Sequence, residues 1–160
     1  MKPAGSIALV ILGSLFAALF GQGCLAKDAG VHLRAYSTTA RGITGDITLS
    51  SEEIVFENGQ RLELSYVGES SVGLTGDDKS PAKVFRIIRL RIVRTGGINA
   101  LCGARTVPTY LAVSIVPRSP DLIATGVPKV LGLFAIKGTQ APGREVNPDR
   151  ICASFSFAQS

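Results

Sequence analysis

The sequence predicts an all-β fold, a small sandwich or barrel of about seven antiparallel strands that follows a cleaved N-terminal signal helix. Three observations carry this. Short apolar runs recur between Gly, Pro and Asn signals, at the spacing of hairpin connections. The runs are rich in Val, Ile and Phe, which pack well on a pleated surface. Beyond residue 26 no stretch holds a helical period, and no second apolar run is long enough to cross a bilayer.

The N-terminal segment comes first. Met1-Lys2-Pro3 places a positive charge ahead of Ile7–Phe20, an apolar run of 14 residues that ends in small residues and Cys24-Leu25-Ala26. A bilayer span needs about 20 residues, so this reads as a signal peptide over 1–26 and a cut after Ala26. It inflates the mean hydropathy of +0.30. The alternative is a lipoprotein anchored through Cys24, although Gly21 stands where such signals carry a branched apolar residue.

Residues 27–41 are polar and aperiodic and read as a flexible arm, with a single β domain over 42–160. Gly42–Ser50 alternates, with Ile43, Ile47 and Leu49 on one face. Glu52–Tyr66 carries Asn58-Gly59 between two apolar runs, the mark of a hairpin. A three-residue loop, Glu57-Asn58-Gly59, sets Ile54 opposite Leu62 and gathers Ile54, Phe56, Leu62 and Leu64 on one face. A two-residue loop would set Val55 opposite Leu62 and leave Ile54 and Phe56 facing Glu63 and Arg61. After the Thr75–Pro81 turn, Lys83–Arg94 reads as a strand, with Ile88, Leu90 and Ile92 opposite Arg89 and Arg91. The adjacent Ile87-Ile88 pair breaks the alternation and marks a bulge. Thr109–Val116 between two prolines, Val130–Ile136 and Ile151–Phe157 complete the set. On the last, Ile151, Ala153, Phe155 and Phe157 share a face and Cys152 lies on the other. The absence of Trp argues against an immunoglobulin-type core.

Removing the signal leaves Cys102 and Cys152 in an oxidising compartment, where a disulfide is favoured over two buried thiols. Charge is divided along the chain. Residues 27–80 hold 5 basic and 9 acidic side chains, and residues 81–160 hold 11 and 3. Either the halves intermix and offset each other, or a basic surface faces an anionic partner. Export excludes nucleic acid as the expected partner.

Catalytic chemistry has little to stand on. The one histidine, His32, sits in the polar arm, where nothing holds it for acid–base work. One His and two distant Cys give no metal-ligand spacing, so neither a metal nor a cofactor is expected. Gly68–Gly73 lacks the spacing of a nucleophile elbow, and Glu52-Glu53 and Glu57/Glu63 flank an exposed hairpin rather than a cleft. The candidate site is the row Arg86, Arg89, Arg91 and Arg94, with Lys83 nearby, since guanidinium groups hold carboxylate or phosphate in fork geometry. The competing reading is that these arginines pair with Glu52, Glu53, Glu63 or Glu69 on a neighbouring strand.

Leu101-Cys102-Gly103, Pro108–Val113 and Ile151–Phe157 together resemble short exported proteins of Gram-negative bacteria, particularly alphaproteobacteria, that end in two cysteine-bearing β segments. The resemblance implies a periplasmic setting and a Cys102–Cys152 bridge, and no activity. The expectation is therefore a non-enzymatic exported domain that binds a protein or envelope component, one version being a hydrolase inhibitor that presents the acidic hairpin Glu52–Glu69. The alternative is an anchoring protein that sets its arginine strand against anionic lipid or glycan, with membrane contact only by that route or through Cys24.

Overall fold

The computed structural model describes residues 28–73, 79–91, 101–103, 106–115 and 129–159; the predicted signal segment, Cys24 and Arg94 lie outside them. The Asn-Gly hairpin forms as its side-chain alternation requires. Strands β3 (Glu53–Phe56) and β4 (Arg61–Val72) pair Ile54 with Leu62, and the Phe56 amide donates to the Gln60 carbonyl at 2.9 Å across the three-residue loop. Gly59 takes φ +81°, a left-handed conformation that only glycine adopts at no steric cost. Ile54, Phe56, Leu62 and Leu64 are all buried in one cluster.

Strand β5 (Ser80–Arg91) pairs with β4 along its length, with two irregularities in the ladder, of which the first is the expected one. Glu63 faces Arg89 and Leu64 faces Ile87, so Ile88 is an extra residue in the ladder. Tyr66 faces Phe85 and Gly68 faces Val84, so Val67 is a second one. The bulge at Ile87-Ile88 is where the sequence places it. Ile88, however, is 57% exposed and does not share the buried face with Leu90. The extra residue shifts the phase that simple alternation assumes.

The remaining strands are β1 (Val31–Ala35), β2 (Ile47–Leu49), β6 (Tyr110–Ile115), β7 (Val130–Ile136) and β8 (Ile151–Gln159). All neighbours are antiparallel and follow chain order, and β8 returns to pair with β1, so the sheet is a closed barrel of eight strands. Barrel is thus the resolved form of the all-β prediction, and the eighth strand is β1, inside the segment expected to be a flexible arm. That segment is structured throughout its described part. Leu33 faces Ile47 on one side and Gln159 on the other. Its strand was hidden because Leu33 alone among its five residues is buried. Helix α1 (Thr38–Ile43) follows, so Ile43 lies on a helix and not on the strand with Ile47 and Leu49. At six residues α1 is too short to show a period. It is held by capping. The Ser37 hydroxyl accepts from the Ala40 amide at 3.1 Å and from the Ser156 amide at 3.2 Å, and Ala40 is buried with the barrel interior.

The wall has two apolar faces. Inside, Ile47, Leu62, Phe85, Leu111, Leu133, Phe155 and Phe157 fill the barrel, as side chains do in eight-stranded barrels that hold no ligand at their axis. Outside, Val84, Tyr110, Ala112, Phe134 and Ile136 form a second cluster, closed by Val146 from the connection between β7 and β8. That connection is strapped on by backbone: the Ser71 amide donates to the Arg144 carbonyl and the Val146 amide to the Ser71 carbonyl, both at 2.9 Å. The Tyr110 hydroxyl donates to the Thr139 carbonyl at 3.0 Å. Burial on both faces explains why β6 and β7 read as unbroken apolar runs rather than alternating ones.

β8 carries its own bulge. Ala135 faces Ala153 and Ile136 faces Ile151, so Cys152 is the extra residue. Simple alternation put Ile151 with Ala153 and Cys152 on the far side. Instead Ile151 packs in the outer cluster and Cys152 against the inner one. Cys152 is bonded to Cys102, with their Cα atoms 5.0 Å apart, inside the usual range for a bridge. Leu101, next to Cys102 in the chain, is only 1% exposed and packs in the barrel interior.

Candidate functional site

Arg86, Arg89 and Arg91 stand exposed on β5, and Arg94 lies outside the described residues. The register sets Arg89 across from Glu63 and Arg91 across from Arg61. The Glu63 carboxylate takes two of these three arginines: one oxygen meets Arg91 Nε and the other lies 3.8 Å from Arg89 Nε. Arg61 on β4 reaches Glu53 on β3 at 3.6 Å. Sequence reasoning weighed a ligand site against cross-strand pairing, and the pairing is present for Arg89 and Arg91. Two carboxylates serve three guanidinium groups, while Arg86, opposite Ser65 and Tyr110, enters none of the ion pairs among the described residues. The outer face of β3–β5 therefore keeps an excess of positive charge.

Lys83 belongs elsewhere. It faces Glu69 on one side and Val113 on the other, on the inward-facing side of the wall. β3 pairs only with Arg61–Glu63 of β4, so β4 and β5 continue past it and the barrel opens at that end. There the inner surface of β4–β7 forms a cleft of about 410 Å³, lined by Pro81, Val113, Ile115 and Leu131, with Lys83 and Glu69 as its charged groups. Ile115 is 53% exposed within it. An apolar pocket with few polar groups at a barrel mouth is a recurrent form of ligand site. Sequence reasoning missed it. Val113 and Leu131 show their apolar character in the sequence, but nothing there shows that β4–β7 overhang the shorter strands.

A smaller cleft of about 280 Å³ lies beside β1–β3. His32 faces Thr48 across the ladder, and its Nε2 is 3.5 Å from an Asp46 carboxylate oxygen whose partner oxygen accepts from the Ala35 amide at 2.9 Å. The ordering of Asp46 is structural: it ties β1 to the turn before β2, and the Asp46 amide donates to Glu57 at 3.1 Å. His32 is 61% exposed at its side chain. Among the described residues no three His, Cys, Asp or Glu side chains gather to hold a metal ion.

No protein-family model, curated protein or solved structure matches this chain. The functional reading therefore rests on the geometry of the two surfaces just described.

Proposed function

We propose that this chain is an exported, non-enzymatic binding domain that holds the apolar part of an envelope ligand at the open end of its barrel. One observation carries the reading. The interior is filled, yet the inner wall continues past β3 as an apolar cleft with a single charge of each sign beside it. Burying an acyl chain or an apolar side chain there gains roughly 0.8 kcal/mol per methylene group. The export part rests on the N-terminal segment and agrees with the Cys102–Cys152 bridge, a bond that oxidising compartments favour. The hydrolase-inhibitor version has less support, because Glu53 and Glu63 of the acidic hairpin already engage arginines.

The test is a titration of the mature protein with a fluorescent long-chain fatty acid. Saturable uptake, lost in Ile115→Glu, is the expected result. Ile115 is half in solvent, so the charge enters the cleft without emptying the core. Absent uptake, or uptake that Ile115→Glu leaves unchanged, overturns the reading. A second reading is favoured by the arginine excess on β3–β5: an anchoring role against an anionic envelope surface.

A further inference from the structure

The β5 bulge lies in the middle of the arginine face, and the two features have a joint consequence. Arg61, Arg86, Arg89 and Arg91 share the outer surface of β3–β5 with the carboxylates Glu53 and Glu63, four positive groups against two negative. A regular ladder would alternate Ile88 out of phase with Arg89. The bulge instead leaves Ile88 unpaired and 57% exposed between Arg86 and Arg89. The Ile87 amide donates to the Thr109 carbonyl at 2.9 Å, which brings the start of β6 alongside this point. Val107, two positions before Thr109, is 66% exposed. Bulges re-aim side chains, and this one sets an apolar residue outward among cations.

We infer that this face docks on an anionic lipid surface, with Ile88 as an apolar wedge and the arginines engaging headgroup phosphates. The inference rests on the anchoring reading above and names its partner. The charge excess alone would serve a glycan equally. An isoleucine on its own gains nothing from a hydrated polysaccharide, whereas it is stabilised at the boundary of headgroup and acyl chain. Arginine adds to this in two ways, pairing with phosphate in fork geometry and being more weakly hydrated than lysine. Glu63 sets the strength of the patch, because it occupies Arg89 and Arg91 together.

The experiment is co-sedimentation of the mature protein with vesicles of equal parts phosphatidylglycerol and phosphatidylethanolamine. Vesicles of phosphatidylcholine serve as the neutral comparison. Binding to the anionic vesicles alone, weakened by salt, is expected. Ile88→Ser weakens it about tenfold, a change of about 1.4 kcal/mol. Arg86→Gln weakens it about fivefold, the weight of one cation near such a surface. Both residues are exposed, and unchanged thermal unfolding shows that each variant is folded. If the vesicles bind but Ile88→Ser binds as well as the parent, the wedge is refuted and the electrostatic anchoring reading stands. If neither the anionic vesicles nor an anionic polysaccharide resin binds the protein, both fall. Retention on an anionic polysaccharide resin without vesicle binding assigns the arginines to glycan and overturns the lipid proposal.

Discussion

The Cys102–Cys152 bridge makes a quantitative prediction about stability. It joins residues 50 positions apart. Closing a loop of that length removes enough entropy from the unfolded chain to stabilise the fold by about 4 kcal/mol. The double variant Cys102→Ser/Cys152→Ser should lose that amount in urea unfolding, with a steeper dependence on denaturant because the unlinked unfolded chain exposes more surface. A second term comes from the native state. Leu101, next to the bridge, is buried with Leu62, Phe85 and Phe155 in the interior cluster. Leu101→Ala in the oxidised protein should cost about 2–5 kcal/mol. If the bridge is what holds Leu101 in place, the two perturbations are not additive. Leu101→Ala in the cysteine-free background then costs much less than in the parent. A loss below about 1 kcal/mol in the double Ser variant would refute the loop-entropy argument. Full additivity would refute the idea that the bridge positions Leu101.

Three further outcomes are expected. Gly59→Ala should destabilise by about 1 kcal/mol, because alanine pays a steric penalty at φ +81°; thermal unfolding measures it. Ser37→Ala removes both the cap of α1 and the acceptor for the Ser156 amide, and should cost about 1–2 kcal/mol in urea unfolding, against a few tenths for Ser37→Asn, which retains a capping oxygen. Glu63→Gln should leave stability nearly unchanged, since surface ion pairs contribute little, while it releases Arg89 and Arg91 and strengthens binding to anionic vesicles.

What the sequence reveals here depends on how each strand is buried. The β3–β4 hairpin is legible because one face is buried and one is wet, so only one loop length keeps Ile54, Phe56, Leu62 and Leu64 together. The bulge at Ile87-Ile88 is legible for the same reason, as a break in an otherwise regular pattern. β7 falls where the apolar run places it, but its two-sided burial depends on Val146 arriving from a distant connection. β1 escapes notice because Leu33 is its only buried residue. The arginine row is legible as a row, whereas its partition between Glu63 and solvent follows from a cross-strand register. The cleft at the barrel mouth is the least legible, since it arises from unequal strand lengths.

The pairing of β8 with β1 also dictates the order of events in time. Ser156 and Ser37, in hydrogen-bond contact, are 119 positions apart in sequence. Neighbouring strands meet through local contacts, but this last seam brings distant parts of the chain together and carries the greatest entropic cost. Until the chain through Gln159 has emerged, both β1 and β7 present a bare edge to any other strand nearby. Acquisition of the native state is therefore concentrated in one late step, and the nascent chain stays vulnerable to self-association until that step. A circular permutant that joins the neighbouring ends of β8 and β1 by a short linker, and opens the chain in the 74–78 connection, converts that seam into a local hairpin. It should fold faster than the parent to the same barrel.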